Sequence, residues 1–117
     1  MRKAMASILA VLALFLMAST VARAVTPFEA CEFILLSASK AVDARKAGAS
    51  ADAISISVRA ENEERRDLGA SVPEKFIDKF LRDLFSGEYD QMPSGLEFFD
   101  SGGPHARRFQ AECIAHF

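Results

Sequence analysis

Two cysteines, Cys31 and Cys113, stand 82 residues apart in a chain of 117. If they join, the beginning and the end of the folded unit must meet, and every arrangement that keeps them apart is excluded. Whether they join depends on the compartment, because disulfides persist outside the reducing cytosol. The first 24 residues bear on that question.

Arg2 and Lys3 form a short basic start, Ile8 to Met17 is an unbroken apolar run, and Ala22-Arg23-Ala24 is an A-x-A triplet. This three-part pattern is that of a secretory signal peptide, with cleavage expected between Ala24 and Val25. The competing reading is a retained anchor, since positions 4–22 are uncharged and just long enough to span a bilayer. Ala, Ser and Thr dilute both ends of that stretch, which favours cleavage. A lipid-modified form is not expected, because the lipid-carrying cysteine would follow the cleavage point directly and the first cysteine is Cys31. The expected location is the periplasm or the medium, and the expected organisation is a signal peptide over 1–24 and one domain over 25–117.

Export into an oxidising space turns an even cysteine count into a disulfide framework, and with two cysteines the pairing is Cys31–Cys113. No C-x-x-C motif points to a reactive or metal-binding pair instead.

Removing the leader also changes the electrostatics. Of 14 Lys and Arg, Arg2, Lys3 and Arg23 lie before the cut, leaving 11 against 16 Asp and Glu, a net charge of −5. An acidic domain is a poor binder of phosphate backbones, so nucleic acid is disfavoured as a partner, whereas a basic protein is compatible. After cleavage nothing ties the chain to a membrane.

The remaining sequence reads as helices. Thr26-Pro27-Phe28-Glu29 is a capping box with proline at the first helical position. Phe28, Cys31, Leu35, Ala38 and Val42 then recur at alternating spacings of three and four, widened by Ile34 and Ala41, until Gly48 stops the helix. Ser50 caps a second segment running to about Asp67. Within it Ile54-Ser55-Ile56-Ser57-Val58 fits either a period-two strand or a helix, and the flanking alanines favour the helix. The run from Glu61 to Asp67 lacks any apolar residue and is expected to project into water. Ser71-Val72-Pro73-Glu74 reads as another capping box. Phe76, Ile77, Phe80, Leu81, Leu84 and Phe85 follow as a broad apolar face, with Asp78/Arg82 and Lys79/Asp83 as charge pairs four apart. Gly87 ends that helix. A loop with Tyr89 and Met92 leads to a short helix at Leu96–Phe99. After Gly102-Gly103, Pro104 opens the last helix, on which Phe109, Cys113 and Phe117 share a face. The fold expected is all-α: four or five helices in a small bundle, stapled by one disulfide between the first and last, with Phe28 and Phe109 flanking the bridge.

Chemistry is sparse. His105 and His116 share a helical face with Glu112, but they are about 16 Å apart along the axis at 1.5 Å per residue, too far to hold one ion. There is no nucleophile elbow, no calcium-loop pattern and no phosphate-binding glycine loop. No catalytic residue, metal site or cofactor is therefore expected. Paired carboxylates for hydrolysis are the one enzymatic arrangement that sequence alone leaves open.

The early helical Cys31, the break at Arg45 to Ser50, the long helix beyond it, the proline-containing short helix and the late Cys113 together resemble small two-cysteine, all-helical exported proteins of proteobacteria. Two better-understood groups share this plan. Periplasmic immunity proteins against secreted cell-wall toxins are similar in size, export and disulfide use, although an extra cysteine and a glycine-tyrosine motif are absent here. Periplasmic acid-stress chaperones are similar around Cys31-Glu32-Phe33, although the tryptophan before their first cysteine is absent. The first resemblance implies a non-enzymatic module binding another envelope protein, immunity- or inhibitor-like. The second implies a stress protein that loosens in acid and exposes Phe76, Phe80 and Phe85.

Overall fold

The computed structural model describes residues 25–100 and 102–117. The Ala22-Arg23-Ala24 triplet and the apolar run before it lie outside the described residues. Val25, the first expected mature residue, packs against the core.

Helix α1 spans Pro27–Lys46 and starts as its residues dictate. The Glu29 amide donates to Thr26 Oγ1 at 3.2 Å, and the Thr26 amide donates to Glu29 Oε1 at 3.3 Å. Two of the first turn's orphan donors are thereby satisfied. The helix turns out at Gly48, whose φ of +90° would strain a residue with a Cβ. Helix α2 spans Ala51–Arg66, with Ser50 Oγ accepting the Ala53 amide at 3.1 Å. The ambiguous 54–58 segment is helical. Ile54 and Val58 are buried on one face and Ile56 faces solvent, because a four-residue step returns to the same side of a helix and a two-residue step does not. Helix α3 spans Glu74–Ser86, a 310 helix spans Gly95–Phe99, and helix α4 spans Pro104–Ala115. Among the described residues there are four α-helices and no strand.

Helix α1 is the hub. It packs against α2, the 310 helix and α4, while α3 leans on α2 and α4 on the 310 helix. Cys31 and Cys113 are fully buried and joined, with their Cα atoms 5.9 Å apart, so the first helix is covalently tied to the last. Beside the bridge lies an aromatic cluster. Phe109 meets Phe76 and Phe98 with ring centroids 5.1 Å away and Phe80 at 5.6 Å, several of these edge to face. Tyr89 closes the cluster at 5.5 Å from both Phe80 and Phe98. Burying these rings brings α3, the 310 helix and α4 onto one core.

Three local expectations change. Helix α3 has Pro73 at its N-cap without a side-chain cap, so Ser71 and Glu74 form no capping box. Asp78 bonds Arg59 of α2 at 2.7 Å rather than Arg82, because Arg59 forks between Asp78 and Glu74 at 2.8 Å and fixes α2 against α3. The polar end of α2 does not simply project into water. Asn62 is only 2% exposed, donates from Nδ2 to the Val72 carbonyl at 3.1 Å and accepts the Val72 amide on Oδ1 at 2.9 Å. A primary amide matches a peptide group in both donor and acceptor, so one side chain satisfies the buried backbone of the α2–α3 connection. Asn62→Ala leaves both Val72 groups unpaired and is expected to lower the unfolding free energy by about 3 kcal/mol in urea denaturation.

Candidate functional site

Among the described residues, a groove of about 490 Å³ lies between α1 and α4. Its first bank is α1, with Phe28, Glu32 and Leu35 at successive four- and three-residue steps. Its second bank is α4, with Ala106, Arg107 and Gln110, and Phe98 and Phe99 of the 310 helix complete the lining. Phe28 is 54% exposed and Phe99 50%, so two large rings stand at the groove in water.

Each wall is held by an identifiable interaction. The two banks are joined by the Cys31–Cys113 bridge and by Gln110, whose Nε2 donates to the Phe28 carbonyl at 3.2 Å. Gln110 Oε1, sealed from solvent, has no hydrogen-bond partner. The 310 helix is pinned to α1 at Gly95, whose amide donates to Asp43 Oδ1 at 2.8 Å. A Cβ at Gly95 would fall onto the Ser39 carbonyl, so glycine permits this approach. Pinning Gly95 places Phe98 inward, 1% exposed, and its neighbour Phe99 outward.

The residues singled out by sequence sit as follows. Cys31 and Cys113 come together as expected. Phe109 packs in the core beside the bridge, but Phe28 does not flank it from inside: it lies on the groove bank, one helical step off the buried stripe of Cys31, Ile34 and Ala38. Phe117 is also exposed. Glu112 does not turn its carboxylate to His116. It is held by Lys79 Nζ at 3.0 Å and Arg108 Nε at 3.1 Å, while His116 Nδ1 donates to the Glu112 carbonyl at 2.7 Å. Among the described residues no group of three or more His, Cys, Asp and Glu is placed to hold a metal ion, and no helix is long and apolar enough to cross a membrane.

Besides the Arg59 fork between α2 and α3, two further ion-pair networks brace the helices away from the groove. Between α3 and α4, Lys79 bonds Asp83 at 2.6 Å as well as Glu112, and Arg108 reaches Glu88 at 3.6 Å. Between α1 and α2, the buried Ser37 hydroxyl donates to Glu61 at 2.7 Å and accepts from Arg65 at 3.0 Å, with Lys40 3.4 Å from Glu61. Burial works to raise the pKa of both Glu61 and Glu112. It is outweighed by the hydrogen bonds and charges of Ser37, Lys40 and Arg65 for the first, and of Lys79 and Arg108 for the second, so both carboxyls lie below their ordinary value. Tyr89 moves the other way, raised by its burial and by the carboxylates of Asp83 and Glu112.

No family model, curated protein or solved structure matches this chain. The groove was not anticipated from sequence, though two signals for it exist: Phe28 lies at the edge of the α1 stripe, and adjacent Phe98 and Phe99 cannot both point inward.

The lowered carboxyls fix the sign of the pH response. Their stabilisation is complete above the unfolded glutamate pKa of about 4.3 and is lost as pH falls through the lower folded-state values. Urea midpoints are expected to fall in this acid range, and Glu112→Gln should flatten the decline. Parallel pH profiles for the two proteins would contradict the assignment.

Proposed function

We propose that this is an exported helical protein that binds another protein of the bacterial envelope through the α1–α4 groove, in the manner of an immunity or inhibitor module and without chemistry of its own. The observation that carries this reading is the groove itself, with Phe28 and Phe99 half-exposed over a covalently joined pair of helices. Exposed rings beside a concave apolar surface are the usual anchors of protein recognition. The disulfide keeps the two banks in place before a partner arrives, which reduces the ordering cost of binding. The leader-like residues 1–24 support export. The net charge of −5 in residues 25–117 favours a partner with a basic surface that presents an apolar side chain to the groove.

Acid-stress protection is the second reading, favoured by the bracing of α1 to α2 and of α3 to α4 through carboxylates such as Glu61 and Glu112, which protonate in acid. Loosening those joints would uncover Phe76 and Phe80 of the core.

The test is affinity capture from an envelope extract at neutral pH with the oxidised protein and with Phe28→Asp and Phe99→Asp variants. A partner retained by the wild type and lost from both folded variants is the expected result. Capture that ignores both substitutions would remove the groove from the reading.

A further inference from the structure

Glu32 and Arg107 stand on opposite banks of the groove, and both are exposed. Neither side chain has a hydrogen-bond or ion-pair partner among the described residues. Elsewhere Lys40, Arg45, Arg59, Lys79 and Arg108 each meet a carboxylate, while Lys75 and Arg82, like Arg107, do not. One apolar groove thus carries one unpaired acid, one unpaired base and protruding rings, Phe28 and Phe99, beside the hollow they line.

A surface that carries an acid and a base is able to pair with its own copy where a two-fold axis exchanges the two. Under a two-fold axis, residue i of one copy meets j of the other and j meets i. Glu32 then faces Arg107 of a second copy and Arg107 faces its Glu32, giving two ion pairs from one rotation. The ring of each copy has the groove of the other to enter. We propose that, when no other partner is present, the groove is occupied by a second copy of this chain in an isologous dimer with reciprocal Glu32–Arg107 pairs. This rests on the groove being a protein-docking surface and names its first occupant. The patch is locally neutral, so the repulsion between two domains of charge −5 acts mainly at longer range and is screened within about 8 Å at physiological salt. The groove is small beside a standard interface, which places the dimer at its low-affinity end, with dissociation constants of about 10–100 µM. A basic envelope protein that uses the same groove would displace such a copy.

Sedimentation equilibrium of the exported, oxidised protein from about 1 µM to about 1 mM tests this. The expected result is a monomer–dimer equilibrium. Glu32→Arg and Arg107→Glu should each weaken it about tenfold by setting like charges against each other. The combined Glu32→Arg/Arg107→Glu protein should recover association to within about threefold. Both positions are exposed, so the charge variants are not expected to disturb folding, and far-UV circular dichroism checks that. A monomer over the whole range, association insensitive to either single reversal, or no recovery in the combined protein would each overturn the dimer. Partner capture that still depends on Phe28 and Phe99 in a strictly monomeric protein would leave the protein-binding reading standing while removing the second copy as occupant.

Discussion

The Cys31–Cys113 bridge is the constraint on which the rest of the molecule depends. It ties α1 to α4 across 82 residues, so the intervening helices fold inside a closed loop. A domain this small buries a smaller share of its surface than a large one does and has little stability to spare. The bridge compensates mainly by restricting the unfolded chain. It also sets the geometry of the surface, because the helices it joins are the two banks of the groove.

Around that joint the helices are fixed by two kinds of contact with different sensitivities. Phe76, Phe80, Phe98 and Phe109 pack α3, the 310 helix and α4 through apolar burial, which carries no charge to titrate. Outside this core, Ser37, Glu61, Arg65 and Lys40 hold α1 to α2, and Lys79, Glu112 and Arg108 hold α3 to α4, through carboxylates that acid neutralises. The groove lies against the first kind, where Phe98 joins the aromatic cluster and the bridge lies between the banks. Its shape should therefore outlast the outer ion pairs as pH falls.

Much of this fold was legible in the residues because the signals were local. Thr26 and Glu29 announced α1, the 3–4 spacing from Phe76 to Phe85 announced α3, and an even cysteine count, in a chain expected to be exported, announced the bridge. What was not legible depended on tertiary partners. Asn62 sits in a stretch with no apolar residue and is buried because one backbone segment, at Val72, needs both an acceptor and a donor. Arg59 draws Asp78 away from its helical neighbour because another helix lies closer. The groove was hidden for the same reason: Phe28 and Phe99 fit an apolar pattern, and only the positions of α4 and Gly95 decide that these two rings stay outside.

The bridge's role is tested most directly by equilibrium urea unfolding at neutral pH, comparing the oxidised protein with Cys31→Ala/Cys113→Ala. Closing an 82-residue loop corresponds to about 4.5 kcal/mol in the chain-entropy description, and a loss near that size is the expected result. A loss below about 1 kcal/mol would contradict it, and would mean that packing alone keeps the first and last helices together.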